Sequence, residues 1–334
     1  MTMGALRRLL PGLGVLLALG FLARGITAVV PLGSHLIVVI GLGVLVANTV
    51  GVPDWAVAGV DTHSLWLEAG IVLMGVTVAL QQVVDAGLQV LFVVGIAVCV
   101  TVLTVEILAR ELFDIPEKIG SLLAAGSGIC GVSAVAAVAG SIKPDQQQIA
   151  YAAATVLLFD AVTLVIYPLV GRLLGLPDVV FGIWAGTTMF STGPVTAAGF
   201  AYSRTAGEWA VLVKLTRNAL IGVVAIGYAL YYSRRGATTA TVENKWRYLW
   251  ESFPKFIIGF VVLMLLGSAG LFSEPQIQTL DNASNWLFLV AFAGLGLSIN
   301  IGELRESGIT PVVVVSISLV LVSSLTLGAL LYMF

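Results

Sequence analysis

Residues 119–141 read IGSLLAAGSGICGVSAVAAVAGS. The stretch is apolar and about as long as a bilayer-spanning helix, which needs about 20 residues. Its middle, Gly126-Ser127-Gly128-Ile129-Cys130-Gly131-Val132-Ser133, is too rich in glycine and serine for an ordinary span. Small residues let helices pack closely; they also let a helix unwind. A second stretch of the same kind, Gly186-Thr187-Thr188-Met189-Phe190-Ser191-Thr192-Gly193-Pro194-Val195-Thr196, lies within 179–202. There Gly193-Pro194 removes an amide donor and adds freedom. Unwound backbone at membrane depth is tolerated only where it is buried in protein or lines a cavity. Two such breaks, both dense in hydroxyls, point to the binding site of a transporter.

The rest of the chain agrees with a membrane setting. Of 334 residues, 59% are hydrophobic and 10% charged, against about 25% charged in soluble chains. An ordinary soluble enzyme, a disordered chain and a coiled coil are excluded. A net charge of −2 offers no field for nucleic acid. Cys99 and Cys130 lie in apolar runs and make neither a disulfide framework nor a zinc site. No phosphate-loop, haem or calcium motif is present, so neither a cofactor nor primary pumping is expected.

Eleven candidate spans follow: 9–23, 34–50, 64–80, 88–108, 119–141, 148–171, 179–202, 209–232, 255–272, 284–301 and 310–333. The sequence predicts one integral membrane domain over 1–334. Eight spans lie in 1–232, a cytoplasmic linker in 233–254 and three spans in 255–334. Arg7-Arg8 before an apolar run resembles a signal peptide, but Pro11, Gly12 and Gly14 break its core, so a retained helix is expected. With a cytoplasmic N-terminus, Arg7, Arg8, Arg110, Lys118, Arg172, Arg234, Arg235, Lys245, Arg247, Lys255 and Arg305 face the cytoplasm. Only Arg24, Lys143 and Arg204 face outward. That bias predicts a plasma-membrane protein with its N-terminus inside and Phe334 outside.

Charges within spans are expensive, at about 2.5–3.5 kcal/mol each on insertion scales. Asp160 lies near the centre of the sixth span, with Thr163 and Tyr167 on its face. It reads as a structural acid or as a carboxylate that couples transport to H+ or Na+. Lys214, Arg217 and Asn218 form one stripe of the eighth span. They read as snorkelling groups, as partners of Asp160, or as contacts to a bound anion. Ser127, Gly128, Cys130, Gly131, Ser133, Thr188, Ser191 and Thr192 are the candidate solute contacts, joined by Asn218. Glu68 and Glu106 lie near span ends and read as interfacial, and His35 and His63 carry no assigned role.

An internal repeat is visible at an offset of 221 residues. Gly75 matches Gly296, Thr77 matches Ser298 and Gly87 matches Gly308. Those segments run in opposite directions, as inverted repeats require. The fifth and seventh spans also look alike, yet an eleven-span count makes them parallel. Either 126–202 holds a re-entrant piece, or one likeness is only shared composition.

At this point a family resemblance emerges. GSGICGVSAVAA at 126–137, AYAAATVLLFDAVTLVIYP at 150–168, FGIWAGTTM at 181–189, VTAAGFAYS at 195–203, VKLTRNALI at 213–221 and AGLGLSINIGELRESGITP at 293–311 resemble the YeiH-like membrane proteins, a sulfate exporter family. The resemblance covers about residues 40–330. It implies a secondary carrier of inverted repeats with crossed, broken helices, like bile-acid symporters and sodium–proton antiporters. Against the family's pattern, Glu68 and Thr77 stand where basic residues are usual. Phe190, Ser191 and Pro194 replace a His-Glu pair and a Gln, and Asp160 replaces a glycine. The resemblance therefore implies the fold more strongly than the solute.

The expectation is an all-α polytopic transporter, not an enzyme. It moves a small anionic solute, coupled to H+ or Na+ through Asp160, with the lipid bilayer and a homodimer as partners. The alternative is a cation–proton antiporter built on Asp160 with Lys214 and Arg217.

Overall fold

A computed structural model describes residues 3–30, 34–78, 80–235, 245–300, 302 and 308–333. The described residues are helical, with no strand among them. Five helices are long and apolar enough to cross a membrane: Arg8–Val29, Gly87–Leu112, Gln146–Leu173, Arg204–Arg234 and Ile309–Met333. Most of the first half of the expected 233–254 linker, and Phe334, lie outside the described residues. The linker's second half carries a short helix, Lys245–Ser252. The chain forms two compact units. One comprises Met1–Ala86 with Lys255–Gly302, the other Gly87–Pro254 with Glu303–Phe334.

The first unit contains α1 (Met3–Val29), α2 (His35–Thr49), α3 (Asp54–Val60), α4 (His63–Met74), α14 (Phe256–Ser268) and α15 (Glu274–Leu297). Glycines bring their backbones together. A Cβ on Gly12 would lie 2.6 Å from the Gly59 Cα, so α1 and α3 touch there main chain to main chain. The 221-residue offset reappears here as one contact made twice. A Cβ on Gly75 would sit 2.5 Å from the Phe260 carbonyl oxygen, and one on Gly296 would sit 2.4 Å from that of Ile40. Beyond each glycine the helix ends alike. Thr77 Oγ1 donates to the Met74 carbonyl at 2.9 Å, and Ser298 Oγ to the Leu295 carbonyl at 2.8 Å. The freed backbone is then taken up by neighbours. Leu80 N donates to Ser268 Oγ, and Asn48 Nδ2 donates to the Ile299 carbonyl.

The second unit holds most of α5 (Leu80–Ile107), then α6 (Glu117–Ala125), α7 (Val132–Ile142), α8 (Gln146–Leu173), α9 (Asp178–Thr188), α10 (Thr192–Tyr202), α11 (Arg204–Asn218) and α12 (Ile221–Arg234), with the α13 segment Lys245–Ser252 and α16 (Ile309–Met333). Here the sequence expectation needs correction. Residues 119–141 and 179–202 are not single broken helices. Both turn back on themselves as helical hairpins.

The first hairpin is α6, one π turn over Gly126–Cys130, the turn at Gly131, and α7. Lys118, at its start, donates from Nζ to the Lys143 carbonyl, at its end, at 2.9 Å. Midway, a Cβ on Gly126 would lie 2.9 Å from Val135. The two arms therefore run antiparallel. Gly131 makes the reversal with φ +67°, in the left-handed region that glycine enters without penalty.

The second hairpin is α9, residues 189–191, and α10. Phe181 and Tyr202, near its two outer ends, stack with centroids 3.9 Å apart and planes 7° from parallel. Both arms lie on α11. Gly182 and Gly186 approach the carbonyls of Ala206 and Ala210, so α9 runs parallel to α11. Thr192 meets Asn218 while Phe200 meets Gly207, so α10 runs antiparallel to it. Pro194 does not break a helix here. It sits in the first turn of α10, where the missing N–H would have had no helical acceptor.

Arm lengths suit this geometry. At about 1.5 Å per residue, an 11-residue arm reaches about 16 Å, half of a hydrocarbon core about 30 Å thick.

Candidate functional site at the hairpin tips

The two tips meet. A Cβ placed on Gly131 would lie 1.9 Å from Ser191 Oγ and 3.1 Å from Ser191 Cβ, so the serine hydroxyl occupies the space a side chain at 131 would need. Four helix ends therefore converge. The first arms, α6 with its π turn and α9, arrive by their C-termini, whose carbonyls lack helical donors. The second arms, α7 and α10, leave by their N-termini, whose N–H groups lack helical acceptors, and neither is capped by the side chain of its own N-cap residue.

The C-terminal ends are served by α11. Lys214 is fully buried. Its ammonium donates to the carbonyls of Ile129 at 2.6 Å, Met189 at 3.2 Å and Phe190. An ammonium has three N–H bonds, and all three are used. Arg217, 1% exposed, donates from Nη1 to Gly186 and Met189 and from Nη2 to Ser127, again to carbonyls. Two cations thus face the negative ends of two half-helices, the pairing that helix dipoles favour. Neither snorkels. Among the described residues no salt bridge joins either cation to Asp160, so the expected charge pair is replaced by two separate charge–dipole contacts.

Asp160 serves an N-terminal end. It projects from α8 and accepts from Ser191 N at 2.9 Å through Oδ1 and from Ser191 Oγ through Oδ2. Ser191 precedes the first residue of α10, so the carboxylate caps that half-helix from outside, as an anion would.

The other candidates divide. Ser133 is exposed on the first turn of α7, and Ser191 and Thr192 are half-buried at the start of α10. Asn218 donates from Nδ2 to Thr192 Oγ1 at 3.0 Å, and its Oδ1 has no partner among the described residues. These groups line the meeting point. Cys130 closes the π turn, with its thiol beside Ser133 and Ala134. Ser127 contributes its carbonyl, while its hydroxyl is spent on Leu123. Thr188 is turned inward. It donates to Trp184, and the Tyr167 hydroxyl lies 2.9 Å from its Oγ1. Gly128 is the place where Val102 of α5 packs. Thr188 and Gly128 are therefore engaged within the scaffold.

Three features were missed from sequence. The carbonyl acceptors at 129, 186, 189 and 190 carry no letter of their own. Ser323 ties α16 to the second hairpin through Trp184 Nε1, at 3.0 Å, and to α8 through Tyr167. A Ser-Ser pair in an apolar helix was its available signal. Glu106 is more than interfacial. It holds Arg110 at 2.5 Å and accepts from Ser121 and Tyr228.

Residues 11–315 match the family described as Conserved hypothetical protein 698. The chain belongs to that family. It is 32% identical over 277 residues to a UPF0324 membrane protein of Nitratidesulfovibrio vulgaris, covering 82% of this chain and 76% of the relative. A UPF0324 membrane protein of Clostridium tetani is 32% identical over 78% of this chain and 80% of its own length. One of Agrobacterium fabrum, Atu0671, is 31% identical over 89% and 84%. No solved structure matches the chain. The YeiH-like resemblance agrees with this membership. The relatives' names say membrane protein and nothing about sulfate.

Proposed function

We propose that this family member is a secondary transporter of a small anionic solute, coupled to H+ or Na+, with its solute site where the two hairpin tips meet. The observation that carries the reading is that meeting point. Two helix N-termini, one without a side-chain cap and one capped only by Asp160 from another helix, the hydroxyls of Ser133, Ser191 and Thr192, and a half-satisfied Asn218 amide converge beside two buried cations. Free N–H groups at helix ends suit an anion. Re-entrant half-helices at mid-depth are how carriers build such sites. Sulfate enters only through the family resemblance. The antiporter alternative is weaker, because Lys214 and Arg217 bond to carbonyls and neither forms a salt bridge with Asp160 among the described residues.

The proposed topology has nine spans and two re-entrant hairpins, in a plasma membrane. The N-terminus is cytoplasmic, the first hairpin enters from the cytoplasm and the second from outside. Relative to eleven spans, only Lys143 and Arg172 exchange sides, so the Lys/Arg bias is unchanged. The conflict over repeats also disappears. With α2, α4, α5, the first hairpin and α8 matched to α14, α15, α16, the second hairpin and α11–α12, every pair is inverted.

The test is flux in proteoliposomes. Labelled sulfate or acetate should exchange across the membrane in a saturable way, faster by tenfold or more than in protein-free vesicles. Dissipation of a Na+ or pH gradient with no dependence on any anion would instead favour the antiporter.

A further inference from the structure

We infer that the N-terminus of α10 is an anion site which Asp160 itself fills when no solute is bound, and that a proton on Asp160 frees it, so the anion travels together with H+. This rests on the transporter reading above and specifies its coupling.

Asp160 takes the donors a solute anion would need. Its two oxygens accept from Ser191 N and Ser191 Oγ. A second observation points to a ligand at the same place. Asn218 is 2% exposed, gives Nδ2 to Thr192 Oγ1 in the first turn of α10, and has no partner for Oδ1 among the described residues. Flipping the amide exchanges its two ends and leaves the other one unpaired. A buried amide thus offers one unused polar atom to the turn that Asp160 caps.

The cations attract any anion nearby, but their hydrogen bonds to the carbonyls do not replace the Ser191 donors for which Asp160 and a solute compete. Lys214 spends its three N–H groups on Ile129, Met189 and Phe190. Arg217 gives three of its five N–H groups to Gly186, Met189 and Ser127, and its Nε has no partner among the described residues. A second anion at the start of α10 would meet a charged carboxylate at hydrogen-bond range and compete with it for the same donors. Protonation removes both obstacles. The proton from the aqueous phase bonds to a carboxylate oxygen, the Ser191 donors are released, and the anion accepts from them. For a monoanion the pair is electroneutral.

The charged and titratable groups around Asp160 are few. Lys214 and Arg217 face it from α11, Cys130 lies at the first tip, and Tyr167 lies two turns along α8. Glu117, Lys118 and Lys143 belong to the outer ends of the first hairpin, and Tyr202 to the outer end of the second.

The experiment is calorimetric titration of the purified full-length protein with sodium acetate and sodium sulfate, in buffers of different ionisation enthalpy at pH 8. The expected result is uptake of about one proton per bound anion by wild type. Asp160→Asn should bind the same anion with no proton uptake and at least tenfold more tightly. Replacing sodium by N-methylglucamine should change neither. Binding by wild type without proton uptake overturns the inference, and this arm needs no variant to fold. Retention of uptake in Asp160→Asn, or a strict need for sodium, also overturns it. Absence of binding of both anions to both proteins contradicts the anion reading itself, not the proton step.

Discussion

Cysteines placed at Glu111 and Gln147 are expected to react with an impermeant maleimide from the same face of the membrane, and cysteines at Leu174 and Thr205 from the opposite face. Each pair brackets one hairpin, and all four positions are exposed. The reason is the contact between hairpin ends. Lys118 bonds the Lys143 carbonyl, and Phe181 stacks on Tyr202. A segment whose ends touch cannot deliver them to opposite sides of a core about 30 Å thick. Eleven spans require opposite faces within each pair, so the outcome is all-or-none. The background should carry Cys99→Ser and Cys130→Ser, because these are the two native thiols. Labelling of Glu111→Cys and Gln147→Cys from opposite faces would return the first hairpin to a single crossing.

Lys214→Met is expected to be among the most damaging single substitutions in the second unit. It keeps the volume and removes the charge. Met189 retains Arg217 as a donor, but Ile129 and Phe190 lose theirs. Each buried acceptor left without a partner costs about 1–3 kcal/mol. The C-terminal ends of two half-helices would also face one another with one cation fewer between them. Removing a buried ammonium does relieve its own desolvation, which can offset a loss where an apolar residue packs in its place. Here the groups left behind are carbonyls that methionine cannot satisfy, so the loss wins. A net destabilisation of about 3 kcal/mol corresponds to about 6–12 °C in Tm for a unit of this size. Thermal unfolding in detergent is the measurement, with anion flux lost in parallel. Lys214→Arg should not rescue, because a planar fork cannot point at three carbonyls as an ammonium does. An unchanged Tm in Lys214→Met would mean that the ammonium does not hold the tips.

Much of this was legible beforehand, and the limits have physical causes. Hydrophobic runs located the helices, and the glycine and hydroxyl clusters at 126–133 and 186–196 located the tips. Folding back was not legible, because two half-length arms contain as many apolar residues as one full span. The Lys/Arg count was blind to it as well, since exchanging Lys143 for Arg172 leaves the bias as it was. The one signal was the parity conflict between the 221-residue repeat and the likeness of the two broken segments. Pro194 drew attention to the right place for the wrong reason, because it starts α10 and the reversal precedes it. Asp160, Lys214 and Arg217 were recognisable as costly and therefore retained for a purpose. Their partners were not. Apart from the Ser191 hydroxyl, they are backbone N–H and C=O groups, which no letter records.

The meeting of the tips is the claim on which site, coupling and solute all depend. Residues 131 and 191 lie on different hairpins, yet the Gly131 Cβ position is 3.1 Å from Ser191 Cβ, near the separation of about 3.5–4.5 Å found in disulfides. The direct measurement is therefore a Gly131→Cys, Ser191→Cys pair in a Cys99→Ser, Cys130→Ser background, oxidised mildly in membranes and read by mass spectrometry of the digested protein. Tips in contact will give a linked peptide in most molecules within minutes. Two free thiols in a folded, monodisperse protein would show that the tips do not meet.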